Sequence, residues 1–205
     1  MFATLVKGGP VMIPILICSI LGLAVILDRI WFFWRTRSNG DDFLEKLRGP
    51  LSEGKNLEAM QLARQERGPV AALIATGVAY ADKDADELRV HMEQSARNEI
   101  FRMERGLALL SAVVTISPLL GLLGTVTGLI KSFRVLSALQ GLEGPSAMST
   151  GIAEALITTA AGLIVAIPCL AFHEWFGSII DRRVQQMNRW GTKLIDIIID
   201  SRGEK

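Results

Sequence analysis

The chain has 205 residues, half of them hydrophobic and 21% charged, with a formal net charge of +1 and a positive mean hydropathy of 0.35. Its uncharged residues are concentrated in three runs, residues 8–27, 106–130 and 155–172, which hold 20, 25 and 18 residues, or 63 of the 205. A layer roughly 30 Å thick needs about 20 helical residues, so this composition predicts three membrane crossings and excludes a soluble enzyme built around one large core. Near-neutral charge, with bases interleaved among acids, gives no case for nucleic-acid binding.

The first run is expected to remain in the protein as a membrane helix within residues 1–34. Lys7 alone supplies a basic leader, and Asp28, Arg29 and aromatic residues stand where a short cleavage site would be expected. Trp31, Phe32, Phe33 and Trp34 fit an interfacial belt at the end of this helix. Residues 35–105 form a 71-residue region with 12 basic and 13 acidic side chains, too large and too charged for a hairpin loop, and are expected to be a helical cytoplasmic region. Leu57, Met60, Leu62 and Ala63 suggest a short amphipathic helix, and Gly68-Pro69 marks a break. A further helix is expected to begin after Asp82 or Asp84 and to run on into the second apolar block, although Leu88, Met92, Ser95 and Glu99 make no clean core stripe.

The second crossing is placed at residues 106–130, a connection and the start of the next helix at 131–154, and the third crossing at 155–173. In the extension at 174–205, Phe176, Ile180, Val184, Met187, Gly191, Leu194 and Ile198 recur every three or four residues. This spacing predicts one helix face that packs on the segment preceding the second crossing or on another subunit. Arg29, Arg35, Arg37, Arg97, Arg102 and Arg105 flank the large region, and Arg182, Arg183, Arg189 and Lys193 follow the third crossing. The positive-inside rule therefore predicts an N-terminus on the outer side and a C-terminus in the cytoplasm.

Within the crossings, Gly121, Gly124 and Gly128 remove side-chain bulk from the second, while Gly151/Ala155 and Thr158/Gly162 offer matching small spacings in the third. Glu154 is the outlier, a carboxylate at the mouth of an apolar run with Thr158 one turn later. It can bind and release a proton, which favours a functional polar site; capping or pairing at the outer interface is the plainer alternative. Thr125 and Thr127, like Thr158 and Thr159, offer hydroxyls to local carbonyls, to a neighbouring helix or to a wetted path. At about 100° per residue Thr158 lies about 40° from Glu154 and Thr159 about 140° away, so one straight helix cannot aim all three at one path. Pro14, Pro118 and Pro168 are expected to kink their helices.

No nucleophile, phosphate loop or paired-carboxylate arrangement stands in the context that enzymatic chemistry requires, so an enzyme is not expected. His91 and His173 have no metal-ligand constellation around them, and Cys18 and Cys169, inside apolar runs, indicate no disulfide framework. No cofactor is expected; an ion gradient is the simplest energy source for an intramembrane polar path.

The segments SPLLGLLGTVTGLIKSF at 117–133 and GIAEALITTAAGLIVAIP at 151–168, in this order, closely resemble the ExbB/TolQ family of inner-membrane motor proteins, related more distantly to flagellar stator A subunits. The resemblance covers most of the chain. It implies an all-α membrane protein, assembled as a pentameric cage around the transmembrane helices of an ExbD- or TolR-type partner whose own acid carries the proton. Thr125, Glu154 and Thr159 match the family's motif and are implied to line that path or face the partner, with Thr158 added by its helical phase. The ExbB branch implies transmission to a TonB-like protein and energised outer-membrane transport. The TolQ branch, with TolR and TolA as partners and Tol–Pal envelope maintenance as its task, is the nearest alternative; the LLGTVTG segment lacks the aromatic residue common in TolQ-like examples. Three crossings disfavour a four-span stator A subunit, and a passive membrane scaffold in contact with lipids is the alternative of a different class.

Overall fold

The computed structural model describes residues 8–36, 45–47, 49–51, 53, 55–65, 68–138 and 146–203. Among them all regular structure is helical: α1 Met12–Arg35, α2 Asn56–Gln65, α3 Pro69–Ala79, α4 Ala85–Glu104, α5 Leu107–Ala138 and α6 Ser146–Gly203. Three stretches, Met12–Arg35, Ala85–Ser137 and Met148–Asp200, are long and apolar enough to contain a membrane crossing. The chain divides into two compact units, Met1–Arg29 with Gly106–Trp175, and Ile30–Arg105 with Phe176–Lys205.

The first unit contains the apolar parts of α1, α5 and α6. Few of its side chains are buried within the chain, and Leu119, Leu122, Ile164 and Ile167 are among many large apolar residues left exposed, as a lipid-facing surface requires. Gly22 gives α1 a close approach to α6, since a Cβ there would stand 2.7 Å from Cys169 Sγ. Arg29, 5% exposed, binds the Asp28 carboxylate through Nε and Nη2 at 3.0 and 2.6 Å. Helices α5 and α6 run on through Pro118 and Pro168. Pro14 does not interrupt α1 because it lies in the first turn, where a missing amide hydrogen removes no intrahelical bond.

The second unit is built on α2, α3 and α4 with the end of α6. Gly68, at φ 126°, precedes Pro69 at the start of α3, so the break at this pair is a helix start. Asp84 caps α4 by accepting from the Ala85 amide at 2.9 Å, and Asp86 and Glu87 in its first turn complement the helix dipole. The amphipathic reading of α2 holds at Ala63, which is buried, and at Met60 and Leu62, which are half-buried, but needs correction at Leu57, which is 76% exposed; Ala59 completes the buried face. Helix α4 does not run unbroken into the second apolar block either. It ends at Glu104, and a turn with Gly106 at φ 84° separates it from α5, a conformation that glycine alone adopts without strain.

The face of α4 without a clean apolar stripe is nonetheless its inner face. Leu88 and Met92 are buried, Ser95 is half-buried and shares a 3.0 Å hydrogen bond with the Thr76 hydroxyl of α3, and Glu99 binds Arg102 at 2.7 Å. His91 stacks on Tyr80 with ring centroids 3.8 Å apart. The stripe on α6 is buried as its spacing predicts at Phe176, Ile180, Met187, Gly191, Leu194 and Ile198, and half-buried at Val184. It packs on α3 and α4 of the same chain: Leu194 and Met92 both crowd Gly77, where a Cβ would lie 2.5 Å from Leu194 Cδ2. Arg183 supplies two donors that α1 lacks at its end, reaching the Thr36 carbonyl at 2.7 Å and the Phe33 carbonyl at 3.3 Å with its guanidinium over the Phe33 ring. Burial pushes its pKa below the usual arginine value.

Candidate functional site

The site grows out of the way α5 and α6 meet. Read along α5, residues Ser117, Gly121, Gly124, Gly128 and Ser132 recur every three or four positions and so share one helix face. Their neighbours on α6 run in the opposite order. A Cβ on Gly162 would lie 2.5 Å from the Ser117 carbonyl oxygen, one on Gly121 would lie 3.0 Å from Thr159 Cα, and one on Gly128 would lie 2.7 Å from the Gly151 carbonyl oxygen and 2.9 Å from Ala155 Cβ. A side chain at Gly124 would overlap Thr158, and one at Gly151 would lie 2.8 Å from the Gly128 carbonyl oxygen. The two helices are therefore antiparallel and in backbone contact along a seam of small residues, which bulkier residues would force apart.

Such close approach lets backbone carbonyls of one helix receive hydroxyls from the other. Thr125 donates to the Gly121 carbonyl of its own helix at 3.2 Å, and Thr159 donates across the seam to the same carbonyl at 3.0 Å. The two hydroxyls also contact one another. Thr125 Oγ1, Thr159 Oγ1 and Gly121 O thus form one half-buried polar cluster in an otherwise apolar region. Thr158, fully buried one position earlier, turns its hydroxyl back to the Glu154 and Ala155 carbonyls at 3.1 and 2.9 Å, and its Oγ1 and Cβ lie against Gly124. Thr127 stays on α5, bonded to the Leu123 and Gly124 carbonyls.

Glu154 stands apart from the hydroxyl cluster. Its carboxylate accepts from Lys131 Nζ on α5 at 2.7 Å. Of the residues singled out in the sequence, the structure thus joins Thr125 to Thr159, lodges Thr158 in the seam with the glycines, and sends Glu154 to a separate ion pair.

Three participants escaped the sequence reading. Ser132 is 1% exposed and links the helices by donating to Gly128 O at 3.1 Å and Met148 O at 3.2 Å. Ser117, fully buried, carries the one buried side-chain oxygen without a hydrogen-bond partner among the described residues. Both lie one turn beyond the glycine row, so extending its spacing in either direction finds them. Lys131 has no comparable signal, because its pairing with Glu154 spans 23 positions. Among the described residues no group of three or more His, Cys, Asp or Glu side chains is placed to hold a metal ion.

Comparison with known proteins agrees with this architecture. The family model described as the MotA/TolQ/ExbB proton channel family matches residues 65–189. The chain is similar to a putative biopolymer transport protein ExbB-like 1 of Synechocystis, 37% identical over 187 residues that cover 89% of this chain and 71% of the relative. It is also similar to a putative ExbB homolog of Methanothermobacter thermautotrophicus, 28% identical over 95% of this chain and 71% of the relative, and to ExbB-like 3 of Synechocystis, 29% identical over 86% and 84%. Because the family match extends over more than half of the sequence, from the helices that precede the second apolar block through both partners of the seam, the chain belongs to the MotA/TolQ/ExbB proton channel family, as a multi-pass inner-membrane protein.

Proposed function

We propose that this chain is an ExbB-type subunit of a proton-driven motor. In this reading a homopentamer encloses the transmembrane helices of an ExbD-type partner, proton flow drives movement of cage against partner, and the movement passes to a TonB-like protein that energises outer-membrane transport. Residues 35–105 and 174–205 are cytoplasmic, 131–154 connect two crossings on the periplasmic side, and the N-terminus is periplasmic. The proton gradient is the energy source, without a cofactor. Thr125, Thr159, Thr158 and Glu154 belong to the proton path or the surface facing the partner.

The observation that carries this reading is the cluster of Thr125 and Thr159 hydroxyls on the Gly121 carbonyl. Hydroxyls can donate and accept, so a cluster of them in an apolar helix pair provides a polar surface without a fixed charge. A protonated partner acid can rest against the apolar part of such a cage and an ionised one against its polar part, which gives two states for a gradient to alternate.

The test is reconstitution in vesicles with an ExbD-type partner, with proton flux followed under an imposed gradient. Flux that needs both proteins and falls sharply in Thr125→Val and Thr159→Val supports the motor reading. Assembly without any gradient-driven flux sinks it in favour of a passive scaffold. The family description also includes TolQ, and replacing the partner pair with TolR- and TolA-type proteins separates that branch: restored flux and envelope integrity with that pair alone would overturn the ExbB assignment.

A further inference from the structure

Where α5 ends and α6 begins, three segments distant in sequence converge on one carboxylate. Glu154 Oε2 accepts from Lys131 Nζ at 2.7 Å, and the Glu154 side chain is 13% exposed against 61% for Lys131. The third segment is the turn that leads into α1. Gly9 has φ 68°, the Met12 amide donates to its carbonyl at 3.2 Å, and a Cβ on Gly9 would occupy the space of the Glu154 carboxylate. Gly9 thus has two independent reasons to be glycine, its left-handed backbone and the acid packed against it. An ionisable group sheltered at the edge of an apolar region is stable there when it is paired.

We infer that Lys131 and the Gly9 turn are positioning elements for Glu154. Lys131 supplies the counter-charge from α5, the turn walls the carboxylate from the side of α1, and together they hold it at one place on α6. The pair also ties α5 to α6 near the end of the seam where Gly128 meets Gly151. Lys131 contributes by its charge, because most of its side chain is exposed and little packing is lost when it is replaced. The inference concerns the placement of Glu154. Its functional consequence rests on the reading of Glu154 as part of the proton path or partner surface.

Two measurements separate these layers. The first is a double-mutant cycle of Lys131→Met and Glu154→Gln on the thermal unfolding of the full-length protein in detergent. Each single variant is expected to lower the melting temperature, the double to fall no further than the worse single, and Lys131→Arg to stay near wild type. Additive losses, or no loss in Lys131→Met, overturn the positioning role. The second is proton flux in vesicles that hold the chain with its ExbD-type partner. Lys131→Met is expected to lose flux severalfold and Lys131→Arg to restore it, a rescue that requires charge. Unchanged flux in Lys131→Met while Glu154→Gln loses flux would overturn the inference. Unchanged flux in Glu154→Gln with coupling intact in the first measurement would remove Glu154 from the proposed function and leave its placement by Lys131 standing.

Discussion

Thr125 and Thr159 stand on facing helices and donate to a single acceptor, the carbonyl of Gly121, at 3.2 and 3.0 Å. That carbonyl is accessible to Thr159 only because Gly121 and Gly162 let the backbones touch. Packing and chemistry are therefore inseparable here, since the residues that bring the helices together also expose the acceptor.

Replacing either threonine with valine keeps its shape and removes its hydroxyl. A hydrogen bond between membrane helices contributes about 0.6–2 kcal/mol, so Thr125→Val and Thr159→Val should each lower stability modestly. Gradient-driven flux should fall much further. Because the two hydroxyls share one acceptor, the double variant should be less impaired than the product of the single effects. Unfolding in detergent and vesicle flux, measured on the same preparations, check both parts.

Gly121→Ala places a methyl group 3.0 Å from Thr159 Cα, a backbone atom that cannot rotate away. Overpacking of this kind costs about 1–3 kcal/mol. The matched control is Gly177→Ala on α6, where a Cβ meets nothing within 4 Å and the higher helix propensity of alanine should stabilise by about 0.5–1 kcal/mol. Opposite shifts in melting temperature are expected, and an unchanged or raised melting temperature in Gly121→Ala would refute the seam as drawn.

Leu194→Ala should be among the most destabilising changes outside the apolar spans. Leu194 is fully buried against Gly77, and truncation of a buried leucine costs about 2–5 kcal/mol. Ile199, 38% exposed on the same helix, is the comparison residue, and its replacement by alanine should cost far less. Protease protection and thermal unfolding of the full chain measure the difference.

Arg183→Lys should recover only part of what Arg183→Ala loses. The guanidinium fork spans two carbonyls, Thr36 O and Phe33 O, while a single ammonium is a compact point donor without that fork. Leaving those carbonyls without their charged partner costs about 1–3 kcal/mol in the alanine variant. The ranking wild type, lysine, alanine in melting temperature is the expected result.

Much of the molecule follows from one-dimensional pattern. Length without charge determined the three apolar helices, because a bilayer sets a minimum apolar length. Spacing determined the buried face of α6 from Phe176 to Ile198 and the glycine face of α5, since a helix has a fixed period. Gly68-Pro69 marked a break that the structure makes a helix start, and of Asp82 and Asp84, both offered by the sequence, the structure uses Asp84 as the cap. Their ordered motifs also carried the family. The sequence alone could not decide which small residue meets which, or where the acid and the hydroxyls go. Helical phase linked Thr158 to Glu154, yet Thr158 turns back onto its own helix while Thr159 crosses to Gly121. Glu154 finds its partner in Lys131, and Gly9 reaches the same carboxylate from the start of the chain. These pairings depend on the register of two antiparallel helices and on a turn distant in sequence, and register is a property of packed surfaces that no single helix encodes.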